Sequence, residues 1–198
     1  MTTNGRYTGV IRDELSLASD QARQALAGVD PVGAFYRSNM RRLDATADTG
    51  ALTTQVMTSV PVYLRRGDVV TNVSFRSGGT AAGTPTNWWF ALYSNAATPA
   101  LLGQTADQLT AAWAATANKT LALASPVTIQ ADGIYWVAIM VKATTVPTLV
   151  GVSTTAAAGI VTGEKNLAQT SGSALTTTAP ATIASPTAAA TVPLVILT

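Results

Sequence analysis

Asp107, Asp132 and Glu164 are the only carboxylates in the last 122 residues of a 198-residue chain, so acid–base chemistry there would have to run through them. Glycoside hydrolysis, the reaction that a carboxylate pair supports unaided, needs two of them about 5–9.5 Å apart. Their local sequence argues for other roles. Asp132 precedes Gly133 in a turn, Glu164 stands beside Lys165 in a GEKN loop, and Asp107 lies in a polar connection. A seryl or threonyl nucleophile needs a base to activate it. With no histidine in the chain that base would be Lys119, Lys142 or Lys165, and no Ser-x-x-Lys pattern accompanies them. The absence of cysteine and histidine also removes disulfides, thiolate chemistry and the usual zinc ligands. The stretch SGGTAAGT lacks the GK[ST] ending of a phosphate loop and reads as a connection between strands. Catalysis, a bound metal and a cofactor are therefore not expected.

Binding chemistry is better represented. Trp88, Trp89, Tyr93, Trp113, Tyr135 and Trp136 include adjacent ring pairs, and flat rings complement the apolar faces of sugars. On a strand, neighbours point to opposite faces, so only one ring of each pair enters a given core. The other ring is expected under a neighbouring subunit or the N-terminal arm, or exposed as a glycan platform. Trp89, Tyr93, Trp113 and Trp136 are the candidates for such an assembly or glycan contact. A second group, Phe35, Tyr36, Arg37, Met40, Arg41 and Arg42, combines apolar and basic side chains near the N-terminus. Arg37, Arg41 and Arg42 would share one side of a helix there, as a solvated face or as a docking contact to an acidic surface.

The elements that must position these residues divide by charge. Residues 1–76 hold nine basic and seven acidic residues, and the remainder holds six charges in all. Overall only 11% of residues are charged, against about 25% in ordinary domains. A net charge of +2 is too balanced to imply a nucleic-acid or membrane-surface partner. The first residues contain no apolar core of signal-peptide length, and no run approaches the ~18 apolar residues of a membrane span. Cytoplasmic synthesis, with release by lysis as one route outward, is the expectation.

Ile11, Leu15, Ala18, Ala22, Ala25 or Leu26 and Val29 recur at helical spacing, ending at Gly28 and Asp30-Pro31. Asp30 and Pro31 suit the start of a second helix carrying Val32, Phe35 or Tyr36, Met40 and Leu43. Residues 44–55 read as a linker. Thereafter the period becomes two. VPVYL and VVTNVSFR alternate, the latter with Val69, Thr71, Val73 and Phe75 on one face. NWWFALYS and GIYWVAIMVK are large and apolar on both faces, so both sides of those strands must be covered. Residues 153–191, rich in Thr, Ala, Ser, Gly and Pro, read as long loops or an extended segment hugging the surface, and Val192, Leu194 and Ile196 close a sheet. The pattern predicts a mainly β protein of roughly eight short strands: an antiparallel β-sandwich, jelly-roll-like, over 56–198, preceded by a short helical N-terminal arm and linker over 1–55.

The succession GDVVTNVSF, GTPTNWWFALYS, TADQLTAAW and KTLALASPVTIQADGIYWVAIMV, within residues 60–152, resembles β-sandwich structural proteins of tailed bacteriophages, especially those infecting actinobacteria. In that group they are commonly minor tail or head-associated virion proteins. The resemblance brings no catalytic motif. It implies a non-enzymatic virion component, an outward-displayed head decoration, head fibre or minor tail protein, made in the host cytoplasm. Short helices and two-faced strands both ask for protein partners: other virion proteins and a homo-oligomer, a trimer favoured. A carbohydrate-binding receptor module that recognises host surface glycan through exposed Trp and Tyr is the alternative.

Overall fold

A computed structural model describes residues 34–198, and no helix occurs among them. In chain order the strands are β1 (Arg37–Ser38), β2 (Ala47–Asp48), β3 (Met57–Leu64), β4 (Val69–Arg76), β5 (Asn87–Tyr93) and β6 (Leu101–Gln104). There follow β7 (Asn118–Thr128), β8 (Gly133–Lys142), β9 (Val150–Ser153), β10 (Gln169–Ser171), β11 (Thr187–Ala188), β12 (Thr191–Pro193) and β13 (Val195–Leu197). They pair antiparallel into a four-stranded sheet β1-β13-β4-β7, a six-stranded sheet β11-β10-β3-β8-β5-β6, and a small sheet β12-β9-β2. The result is an antiparallel β-sandwich.

Alternation within the strands builds the core between the two larger sheets. Val60, Val62 and Leu64 of β3, Trp88, Phe90 and Leu92 of β5, and Val137, Ile139 and Val141 of β8 face one way. Against them stand Val73 and Phe75 of β4 with Val195 and Leu197 of β13. Phe75 meets Phe90 across the two sheets at 4.8 Å between ring centroids. Trp113, in the connection before β7, completes this aromatic centre 5.0 Å from Trp88.

Three local readings of the sequence are corrected. In β4 the inward residue is Val70, whereas Val69 is 42% exposed. The register with β7 shifts between Val70 and Asn72, where Val70 opposes Val127 but Asn72 opposes Ala122. This bulge lets β7 accommodate Pro126, which has no N–H to donate, and it inverts the face that simple alternation assigns. At the C-terminus Val192 and Leu194 are buried as the alternation predicts, but Val195 and Leu197 are buried as well and Ile196 is only half-buried, because the chain leaves the small sheet at Pro193 and restarts its alternation in β13.

The third correction concerns the second expected helix. Its described part, residues 34–43, is β1 followed by a turn. Arg37 and Ser38 extend the sheet beside Leu197 and Ile196, and Asn39 closes the edge, donating to Pro193 O at 2.9 Å and accepting from Val195 N at 3.0 Å. An open sheet edge offers backbone partners that a short, marginal helix cannot match. The first expected helix, at 11–29, lies outside the described residues. Residues 44–55, read as a linker, contribute β2, and the Asp48 carboxylate accepts from Gly79 N and Thr148 Oγ1.

The outer face of the six-stranded sheet carries Met57, Trp89, Ala91, Tyr93, Trp136, Ala138 and Met140, all buried. Residues 175–183 lie across it as an extended strap, contributing Leu175, Ala179 and Ile183 to this second core. The strap has few large apolar residues and is held mainly by its backbone. Leu175 N donates to Gln55 O at 3.0 Å, Leu101 N to Ala181 O at 2.9 Å, and Ile183 N to Pro99 O at 2.9 Å.

Candidate functional site

Each aromatic candidate has a definite place. Trp89 and Tyr93 are fully buried beneath the strap, where the Trp89 indole donates to Thr176 O at 2.7 Å and the Tyr93 hydroxyl to Pro180 O at 2.9 Å. Trp113 is buried in the main core and donates to Ala117 O at 3.2 Å. None of these three offers a ring face to a sugar. The cover over Trp89 and Tyr93 is the chain's own strap, not the neighbouring subunit or arm that the sequence suggested.

Burial pushes the Tyr93 phenol well above its ordinary 10. A folded-state value above the unfolded one leaves stability intact below pH 10 and removes it as pH rises beyond. Above pH 10 the loss attributable to this group is expected to be about 1.4 kcal/mol per pH unit. Alkaline denaturation of the wild type against Tyr93→Phe checks it, since the variant should lose that much of the slope.

The carboxylates are engaged locally and separately. Asp107 accepts from Asn87 Nδ2 at 2.6 Å, Trp88 N at 3.0 Å and Leu109 N at 3.2 Å, which pins the start of β5 to the connection after β6. Asp132 accepts from Arg66 N at 2.7 Å. Glu164 Oε2 accepts from Ile160 N at 2.6 Å and Val161 N at 3.1 Å, and these backbone donors hold its carboxyl below the usual carboxylate range. Among the described residues no group of three or more Asp and Glu is placed to hold a metal. Of the candidate bases, Lys119 is engaged, donating to Ala112 O at 2.8 Å. Asp107→Ala strands three donors, one of them on a buried side chain, and is expected to cost about 2 kcal/mol of stability. Urea denaturation measures it; an unchanged midpoint would show that Asp107 is not structural.

The basic and apolar group near the N-terminus is split by β1. Arg37 pairs with Asp68 at 3.0 Å and lies over the Phe35 ring, while Phe35 and Met40 pack against the main core. Tyr36 is half-buried beside Arg37, which donates to its carbonyl at 3.0 Å. Arg41 binds Asp44 through two hydrogen bonds on an exposed turn, which also presents Arg42 and Leu43. The three arginines therefore do not form one basic face.

Trp136 borders a cleft of about 410 Å³. The floor is Trp136, Ile183 and Gln169, all buried, brought together by β8, the strap's end and β10. The cleft's more exposed lining residues are Glu164, Lys165, Asn166, Thr98, Ser185 and Pro186. Ser185 holds a left-handed backbone conformation, φ +45°, that an ordinary side chain seldom adopts. Gln169 is positioned by strand pairing on both sides, with β3 and β11, and its Oε1 accepts from Asn166 Nδ2 at 3.1 Å. In the sequence, Glu164, Lys165 and Trp136 stand out for other reasons. Gln169, Asn166 and Ser185 do not, because they lie in a low-complexity stretch with no motif and meet Trp136 only through tertiary pairing. No protein-family model matches the chain, and no curated protein matches it in sequence.

Proposed function

We propose that the chain is a non-enzymatic structural component of a tailed-phage particle, an outward-displayed β-sandwich anchored through its N-terminal residues, as a head decoration, head fibre or minor tail protein. The reading starts from the block order of residues 60–152. The observation that carries it furthest is that every candidate catalytic carboxylate of the sandwich accepts from backbone N–H groups. That arrangement suits a module built to persist rather than to react. The exposed turn carrying Arg41, Arg42 and Leu43, the last 65% exposed, lies near the start of the described residues and is the proposed anchoring side.

A homo-oligomer, with a trimer favoured, belongs to the same proposal. The strap removes one reason for a neighbour, since it covers the outer face of β5 and β8. The exposed pair Ile160 and Val161, 79% and 63% accessible, supplies another. Mass spectrometry of particles purified after lysis, with immunogold labelling against residues 56–198, tests the assignment. The expected result is co-purification with intact particles and labelling at one recurring site. Abundant protein in the lysate with none on the particles would refute it.

A further inference from the structure

We propose that the cleft over Trp136 and Gln169 binds a neutral saccharide. This site goes beyond the structural role proposed above and does not rest on it.

The first observation is an unmatched indole. Trp88, Trp89 and Trp113 each donate their indole N–H to a carbonyl, Ala111 O at 2.9 Å, Thr176 O at 2.7 Å and Ala117 O at 3.2 Å. Trp136 is slightly less buried, with 3% of its surface accessible, and its indole N–H has no acceptor among the described residues and is not sealed from solvent. A buried indole N–H ordinarily finds a partner. Trp136 lines the cleft, so an acceptor bound there would complete its bonding.

The second observation is the company it keeps. Gln169 uses its Oε1 on Asn166 and leaves its Nε2 as a second donor on the floor. On the rim, Glu164 uses Oε2 for Ile160 and Val161, which leaves Oε1 as an acceptor on a fixed carboxylate. The Lys165 ammonium adds a donor and forms no salt bridge among the described residues. Donors and acceptors thus converge from separate elements, as hydroxyls that both give and take hydrogen bonds require.

Charge and shape select the class. One carboxylate and one ammonium stand on the same rim, so the site has no net field to favour an ion. Pro186, exposed on the rim, adds apolar surface suited to the C–H face of a sugar ring, above the buried Ile183 and Pro99. The volume, about 410 Å³, lies within the ~300–1,000 Å³ range of small-ligand sites.

The test is a titration of the full chain with maltose, cellobiose, trehalose, lactose and α-1,6-mannobiose up to tens of millimolar, read by the four indole N–H resonances. Binding of at least one sugar should saturably shift a single indole signal, the one missing in Trp136→Phe. Lys165→Ala and Ala184→Arg change exposed rim residues and should leave the unfolding midpoint unchanged, so they keep the test valid if Trp136→Phe folds poorly. Each is expected to weaken binding about tenfold or more. The proposal is overturned by no saturable shift with any of these sugars or by undiminished binding in both rim variants.

Discussion

Trp89→Ala is expected to lower the unfolding free energy by about 3–5 kcal/mol, a large share of the ~5–15 kcal/mol that holds an ordinary domain together. The ring has no accessible surface and sits among Met57, Met140, Leu175 and Ala179, so its removal leaves a void that surrounding strands cannot close. It also strands Thr176 O, whose donor is the Trp89 indole at 2.7 Å. The damage should have a direction as well as a size. Residues 175–183 are held by scattered bonds rather than a continuous ladder, so amide exchange there should accelerate more than in β4. Denaturant unfolding gives the magnitude and hydrogen exchange gives the location. Trp89→Phe, which keeps much of the volume and loses the N–H, should cost about 1 kcal/mol for the hydrogen bond beyond its smaller packing loss. A loss below about 1 kcal/mol for the alanine variant would mean that the strap is not part of the folded core.

Gly151→Ala is the second large effect, and it works by overcrowding rather than by a void. Gly151 lies in β9, between β12 and β2. A methyl group there would overlap the Val192 carbonyl oxygen and come within 2.8 Å of Pro193 Cα and 2.9 Å of Thr49 Cγ2. Two of these neighbours are backbone, which cannot rotate out of the way. The strain is expected to cost about 1–3 kcal/mol or more and to loosen β12, and with it the lead into β13, whose Val195 and Leu197 are core residues. Gly50→Ala is the matched control. Its added methyl meets only Thr191 Oγ1, at 3.6 Å, an ordinary contact, and should stay within about 0.5 kcal/mol of wild type. Thermal unfolding of the two variants side by side separates close approach from a general intolerance of this small sheet.

Much of the sandwich is legible without coordinates because strand periodicity is a local property. Trp88, Phe90 and Leu92 against Trp89, Ala91 and Tyr93 is a division that follows from alternation alone, and the two cores divide β5 in that way. The errors fall where a nonlocal partner changes the local rule. Val69 and Val70 exchange places because β7 accommodates extra residues opposite Thr71. Phe35 to Leu43 has a helical spacing of apolar residues, but β13 has a free edge and the backbone takes it. The candidate site was less legible. Glu164 and Lys165 announce themselves as charges in an uncharged region, whereas Gln169 and Ser185 belong to a stretch of small polar residues where nothing marks one position above another.

NWWFALYS and GIYWVAIMVK therefore determined, by composition alone, that both faces of the central strands would be covered, since leaving several large rings and aliphatic chains in water is untenable at about 25 cal/mol per Å². Only the tertiary structure decided what covers them. The strap binds largely through main-chain groups, with the carbonyls of Thr176 and Pro180 taking the Trp89 and Tyr93 donors and that of Ala181 taking Leu101 N. Backbone groups are common to every residue, so a segment that docks by them leaves no pattern of side chains to read. The same physics leaves Trp136 distinct: the strap's backbone supplies acceptors to its two neighbours in the second core and none to it.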